Sequence, residues 1–588
     1  MDIQQPYGVI VADFTADPLA EMLRDDEYLP QVESTVVGLG QVARALHDLR
    51  AERWGRRPDF ALVWTRPEAA IPSFKRLLGY ERVPIDTILA EVDSFTDLLL
   101  EVAAHIEHVF VPTWTLPYYQ RGLGLLSLRA DHGQGYALMR INLRLAERLS
   151  AASNVHPLDT ARWLAATGKR GSNPKLWPLA KLAFGPEVLR EAGIDLKAGL
   201  RALAGQSKKL IILDLDDTLW GGIVGDLGWE NLRLGGHDPT GEAFVEFQLA
   251  LKDLTRAGVA LGIVSKNDEA YALEAIESHP EMVLRRADFA GWRINWEDKA
   301  GNIAALANDL GLGLDAIVFI DDSPAERGRI REALPAVTVP EWPDDKLLFA
   351  STLRESVWFD RGALTDEDVR RSSMYAAERE RGASRSTAQS FDEWLESLGL
   401  VVKVGVLDAT TLQRATQLLN KTNQMNLTTR RLSESEFLRW AQSEKHRVFV
   451  FSVADRFGEY GLTGITSVEQ KGPDAKVVDF VLSCRVMGRR VEQAMLHVVA
   501  SRARAMGATI LEARHLPTAR NKPCRTFLEE ESGLTAARES DCFVWDLALP
   551  YPLPKHVALG ESALTLPATS QKLGASIHQE PTAPPLKT

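Results

Sequence analysis

Cysteine is nearly absent from the 588-residue chain, which has only Cys484, Cys524 and Cys542. An odd, sparse set of this kind suits neither a disulfide framework nor a zinc site with paired ligands. It leaves room for one working thiol. Long hydrophobic runs are missing too, and residues 1–7 have neither the basic start nor the apolar stretch of a secretory signal. The expectation is a cytoplasmic protein with no membrane partner. Positive charge is in deficit: 68 Lys and Arg face 80 Asp and Glu, a formal net charge of -12. That balance argues against nucleic acid as the main partner, because phosphate backbones attract a basic surface. No internal repeat is visible. What is present, 45% hydrophobic and 25% charged residues, is ordinary folded protein, and the length divides into about three domains.

The expected architecture is α/β throughout. Residues 1–200 alternate short apolar runs (Phe60 to Trp64, His108 to Val111) with helical stretches such as Tyr136 to Ala151, so they read as an α/β domain of unassigned role. Residues 201–362 read as a Rossmann-like domain. Leu210 to Leu213, Val259 to Val264 and Ile317 to Ile320 form strands; Phe244, Phe247, Leu251 and Leu254 share one helix face. Strand, helix and strand in this order imply a parallel sheet with right-handed crossovers. A charged stretch, 363–394, reads as a linker or solvated helix. Residues 395–550 carry strands near Arg447 to Val453, Tyr460 to Val468, Lys476 to Ser483 and Thr509 to Ala513, with a helix from about Arg489 to Met506. The tail 551–588 is expected to be disordered.

The chemistry concentrates after the first strand of the middle domain. In Leu210-Ile-Ile-Leu-Asp214-Leu-Asp216-Asp217-Thr218, two aspartates stand one residue apart beyond the end of a buried strand, where parallel sheets bind ligands. The second strand ends at Ser265-Lys266-Asn267-Asp268, a helix opens near Asp298-Lys299, and the Ile317 strand ends at Asp321-Asp322-Ser323. This ordered set resembles the four motifs of the haloacid dehalogenase superfamily. The resemblance implies Asp214 as nucleophile toward phosphorus and Asp216 as general acid/base. It gives Ser265, Lys266 and Lys299 to the phosphoryl oxygens, and Asp214, Asp321, Asp322 and the carbonyl of Asp216 to Mg²⁺. Crowded carboxylates need such a hard cation, and Mg²⁺ prefers a few carboxylates plus waters and phosphate oxygens. The intervals Thr218–Gly241 and Ser265–Lys299 are too short for a large cap domain, so the site is expected to be open.

Longer strings narrow the resemblance. Leu219-Trp220-Gly221-Gly222, His279-Pro280-Glu281-Met282, Asn295-Trp296, Asn420 to Arg430 and Ser483-Cys484-Arg485-Val486-Met487-Gly488-Arg489 are similar to the FkbH-like proteins of polyketide assembly. The likeness is strong over 208–547 and weak before that, through Phe14-Thr15-Ala16-Asp17-Pro18-Leu19. It implies transfer of a glyceryl unit from 1,3-bisphosphoglycerate to the phosphopantetheine thiol of an acyl carrier protein, with loss of phosphate. The product would be a starter or a methoxymalonyl-type extender unit. The alternative is a stand-alone magnesium-dependent phosphatase whose last domain binds coenzyme A or a regulatory ligand.

That last domain resembles the N-acetyltransferase (GNAT) fold, in which the loop before a helix receives a pyrophosphate on backbone amides. Arg490 stands where a small residue is usual, which disfavours a pyrophosphate. A single phosphate, held by Arg485, Gly488 or Arg489, is the expectation instead. Cys484, beside Arg485 and just before the expected helix, sits in a setting that favours thiolate and is the candidate acyl acceptor. Arg430 and Arg431 are the candidate docking charges for an acidic carrier protein.

Overall fold

The computed structural model describes residues 5–25, 29–362, 388–538 and 541–560, with positions 377, 381, 384 and 385 besides. The chain divides into two compact units, Met1–Ser207 with Glu355–Ala363, and Lys208–Arg354 with Leu364–Thr588. The first unit therefore takes both ends of the expected 201–362 domain. Most of the expected linker lies outside the described residues.

In the first unit, β1 (Tyr7–Ala12), β2 (Glu33–Val36), β3 (Phe60–Trp64), β4 (His108–Pro112) and β5 (Val155–Leu158) form a sheet in the order β2-β1-β3-β4-β5. All four pairings are parallel. β3 is buried along its whole length, which is why it reads as an unbroken apolar run rather than an alternating one.

The second unit opens with a four-stranded sheet. β6 (Leu210–Leu213), β7 (Ala260–Ser265), β8 (Phe289–Ile294) and β9 (Ile317–Ile320) lie in the order β8-β7-β6-β9, all parallel. Each residue of β6 and β9 is buried. The chain runs outward from β6 to β8 and then returns to β9 on the other side of β6. The strand order thus reverses between β6 and β9, and the carboxyl ends of strands at such a reversal are where open parallel sheets form a ligand crevice. The crossover helices start with caps. Asp238, Asp268, Asp298 and Ser323 accept backbone N–H groups at the starts of Pro239–Arg256, Glu269–Ser278, Lys299–Asp309 and Pro324–Ala333. Each such cap is worth about 1 kcal/mol. Among the described residues only the short helix Val224–Leu227 and the turn Trp229–Asn231 fill the interval between β6 and the helix Pro239–Arg256, so that interval holds no cap domain.

The rest of the second unit is a mixed sheet. β10 (Leu400–Val406), β12 (His446–Asp455), β13 (Gly458–Lys471), β14 (Asp474–Leu482), β15 (Ile510–Arg514), β16 (Thr535–Ala536), β17 (Cys542–Asp546) and β18 (Val557–Leu559) run in the order β16-β17-β15-β14-β13-β12-β10-β18, and β11 (Met425–Asn426) pairs with β14. The helix Val491–Ala505 packs on it through Val491, Ala494, Met495 and Val499, all 0% exposed. Two expectations change here. The fold takes in the helix Phe391–Leu398, whose Trp394 and Leu395 enter the core, so it begins before residue 395. It also takes in part of the expected tail, because Val557–Leu559 pairs in parallel with β10; residues 561–588 lie outside the described residues.

Candidate active site

The turn after β6 brings the carboxylates together. Carboxylate oxygens of Asp214, Asp321 and Asp322 lie within 4.8 Å of one another. Lys299 joins them from the first position of its helix, with Nζ 2.6 Å from Asp321 Oδ2 and 3.0 Å from Asp214 Oδ2. A cation at a helix N-terminus opposes the helix dipole. Its burial there, at 3% exposed beside an Asp321 at 0%, marks a place selected for chemistry rather than for helix stability. Burial works to lower the Lys299 pKa, but Asp214 and Asp321 outweigh it and hold the ammonium above its usual value. Burial, reinforced by Asp214, pushes the Asp321 carboxyl up.

Backbone and second-layer groups fix these side chains. Asp321 Oδ1 accepts the Ser323 N–H at 2.9 Å, and Arg327 donates to the carbonyls of Asp321 and Asp322 at 2.8 Å each. The Thr218 hydroxyl accepts the Asp322 N–H at 3.2 Å. Asp214 Oδ1 is buried with no hydrogen-bond partner. An unpaired buried carboxylate oxygen is costly, and a divalent cation between Asp214, Asp321 and Asp322 would satisfy it. Three carboxylates of this kind, with waters and a phosphate oxygen, are a donor set that suits Mg²⁺.

Asp216 is held differently. Its Oδ1 accepts the Trp220 indole N–H at 2.9 Å and the Val224 N–H at 3.1 Å, and its Oδ2 accepts from Asn267 Nδ2 at 2.8 Å. Burial raises its pKa against these hydrogen bonds, which favours the protonated form that a general acid needs. Asp216→Asn should therefore slow phosphate release from an alkyl phosphate by about 10²-fold or more. It should spare the first, single-turnover release of 4-nitrophenolate from 4-nitrophenyl phosphate, whose leaving group departs without a proton. An equal loss in that first step on both substrates would remove the acid role.

Ser265 ends β7, the strand next to β6, and is 2% exposed. Lys266, the next residue, has its Nζ on Glu326 Oε1 at 2.7 Å. Sequence reasoning missed Trp220 and Asn267, which both stand inside quoted motif strings. It also missed Lys346, which donates to the Asp217 carbonyl at 2.7 Å and lies 3.6 Å from Asp322. The two residues are 129 positions apart, and nothing local signals that contact.

The residues singled out in the last domain do not meet at this crevice. Cys484 is exposed and opens the short 3₁₀ turn Cys484–Val486. The helix expected to follow it directly starts only at Val491, so its dipole lends Cys484 nothing. A Cβ on Gly311 would lie 3.8 Å from Cys484 Sγ. Gly311 follows the helix that Lys299 begins, and a rise of 1.5 Å per residue puts roughly 15 Å between them.

Arg485 Nε donates to Ser483 Oγ at 3.2 Å. Arg489 is 8% exposed, donates to the Tyr460 hydroxyl and lies over the rings of Tyr460 and Trp394. The Gly488 N–H, expected to meet a phosphate, donates instead to Glu492 Oε1 at 2.7 Å. Burial lifts Glu492, 3% exposed, to about 7 from an ordinary 4.5. A carboxyl raised on folding binds its proton more tightly in the native state, so stability should fall as pH rises from about 4.5 to about 7. Glu492→Gln should flatten that slope in thermal melts; an unchanged slope would assign it elsewhere.

Arg430 and Arg431 are not free docking charges. Arg430 Nε is 2.7 Å from Oδ1 of the fully buried Asp479, with the guanidinium 4.3 Å from the Trp440 ring centroid. Arg431 donates to the Leu419 carbonyl at 2.6 Å and to the Asn423 side chain.

No family model and no curated protein matches the chain. Among solved structures, the N-terminal part of the protein BF1531 from Bacteroides fragilis, containing a phosphatase domain complexed with Mg, is similar at 28% identity. The TM-score is 0.55, over 61% of this chain and 96% of that one. The ribosomal-protein-S18-alanine N-acetyltransferase from Escherichia coli, at 15% identity, covers 24% of this chain and 90% of its own with a TM-score of 0.19.

Proposed function

We propose that this protein is an enzyme of the phosphatase and transferase class that works with Mg²⁺. In this reading it loads a glyceryl unit from 1,3-bisphosphoglycerate onto the phosphopantetheine thiol of an acyl carrier protein, with release of phosphate. One observation carries the phosphorus chemistry: Asp214, Asp321, Asp322 and Lys299 converge at the strand-order reversal, with Asp216 held beside them. The phosphatase domain with Mg in BF1531 supports it. The glyceryl and carrier-protein assignment rests on the sequence resemblance.

Asp214 attacks phosphorus of the phosphomonoester, its carboxylate oxygen bonding to phosphorus as the P–O bond to the leaving group breaks. Asp216 gives its proton to the departing oxygen and then takes one from the water that hydrolyses the aspartyl phosphate. Lys299 neutralises charge on Asp214 and, with Ser265, supports the phosphoryl oxygens. Bound Mg²⁺, held by Asp214, Asp321, Asp322 and the Asp216 carbonyl, would offset the charge that gathers on the phosphoryl group. Attack on the acyl phosphate would instead waste its activation as a free carboxylate. Acyl transfer therefore belongs to a sulfur nucleophile, for which Cys484 is the candidate within this chain.

Incubation with 1,3-bisphosphoglycerate and a holo carrier protein, followed by intact mass measurement, tests the reading. A glyceryl adduct on the carrier is expected. Free phosphate with an unmodified carrier would favour a stand-alone phosphatase.

A further inference from the structure

The rim of the phosphate crevice is apolar in a way that phosphate chemistry alone does not require. In residues 208–354 every exposed large hydrophobic side chain but Leu249 stands at the carboxyl edge of the parallel sheet: Ile223, Leu227, Tyr271, Trp296, Leu347 and Leu348. Ile223 and Leu227 flank Val224, whose N–H holds Asp216. Tyr271 lies in the first turn of the helix that follows Asn267, another Asp216 partner. Trp296, 75% exposed, stands three residues before Lys299. Leu347 and Leu348 follow Lys346, which reaches the Asp217 carbonyl. Loops after three neighbouring strands thus each carry an exposed apolar group within a few residues of a side chain or N–H that builds the site. Exposed apolar groups scattered singly over a surface are normal, whereas a set gathered at one edge of a sheet is what a recognition surface requires.

The cations at the crevice point the same way. Lys299 lies between Asp214 and Asp321, Lys266 is on Glu326, and Lys346 is on the Asp217 carbonyl beside Asp322. None of these three is left over for a carboxylate on the substrate, so a neutral, partly apolar leaving group fits this mouth better than a free anionic acid.

We infer that the crevice dephosphorylates a phosphoglyceryl group already joined to the carrier's thiol, with the collar of Trp296, Tyr271, Ile223 and Leu227 gripping the methyls and neutral amides of the pantetheine arm. The inference rests on the function proposed above and fixes the order of its steps. First the carrier sulfur bonds to the acyl carbon of 1,3-bisphosphoglycerate and the carbon–oxygen bond to the acyl phosphate breaks, releasing one phosphate and the thiol proton. Passage through Cys484 would add one thioester exchange without changing this balance. Asp214 then takes the remaining phosphoryl group, Asp216 protonates the freed hydroxyl, and water releases the second phosphate. The separation of Cys484 from Lys299 suits this order, because a tethered arm can swing between the two and a small free acid cannot span them.

Phosphate release should be measured with the full chain and Mg²⁺ on 3-phosphoglyceryl carrier thioester, on the matching pantetheine thioester and on free 3-phosphoglycerate. The expected kcat/KM is at least about ten-fold higher for both thioesters than for the free acid. Trp296→Ala and Tyr271→Ala, substitutions of exposed side chains that threaten folding little, should each bring that ratio toward one. Equal kcat/KM on thioesters and free acid, or a ratio untouched by both variants, would overturn the inference. If neither phosphoglyceryl compound is hydrolysed, the proposed substrate is wrong, and octyl against methyl phosphate decides the collar separately. A preference for octyl phosphate that Trp296→Ala abolishes keeps the collar as reader of an apolar leaving group, and equal rates overturn it.

Discussion

Lys299→Met is expected to lower phosphate release by about 10³-fold or more while loosening its own domain, because one ammonium serves both purposes. Among the described residues it is the cation paired with the side-chain carboxylates of both Asp214 and Asp321. Electrostatic support of a phosphoryl group in a water-poor site is usually worth 10²–10³ in rate for a single donor, and here the nucleophile's own charge is also left unbalanced. Removing one partner from a buried ion pair costs about 3–5 kcal/mol, since the remaining charge keeps its desolvation penalty. Added Mg²⁺ should raise the melting temperature of Lys299→Met more than that of the parent, because a second cation then replaces the missing one. The same metal-induced shift in both proteins would show that Lys299 and the metal do not share these carboxylates.

Arg430→Met is the substitution expected to cost most in stability without touching the crevice. Asp479 is 0% exposed and is satisfied by the Arg430 guanidinium and by Ser467, which donates to Asp479 Oδ2. Losing the arginine strands a buried carboxylate, at about 3 kcal/mol or more. The effect should change little between low and high salt, because a buried pair is poorly screened. Adding Asp479→Leu to Arg430→Met should restore part of the lost stability, a coupling that a double-mutant cycle measures. A normal melt for Arg430→Met, together with salt-dependent loss of carrier loading, would return Arg430 to a docking surface.

Sequence located the crevice because its motifs stand where short, fully buried strands end. β6 and β9 coincide with the apolar runs Leu210–Leu213 and Ile317–Ile320, since a strand buried on both faces shows as an unbroken run. β8 was hidden because Gly291, Trp292 and Arg293 interrupt its pattern and are only half-buried. β11 is two residues long and owes its existence to pairing with β14; no local periodicity encodes it. The residues around Asp214 were legible as motifs, but Lys346 was not, being joined to the site only by tertiary contact. In the last domain the sequence displays the basic residues but not the groups they pair with. Basic residues at a loop suggest anions from outside, but Asp479 and Tyr460 answer Arg430 and Arg489 from within the fold.

The central claim is that Asp214 is the nucleophile of a magnesium-dependent phosphoryl site, and phosphate release by Asp214→Asn in the presence of Mg²⁺ tests it most directly. The account predicts a fall of at least about 10⁴-fold with a melting curve close to that of the parent, as removal of an essential nucleophile does elsewhere. Release at a near-parental rate from a correctly folded variant would contradict it.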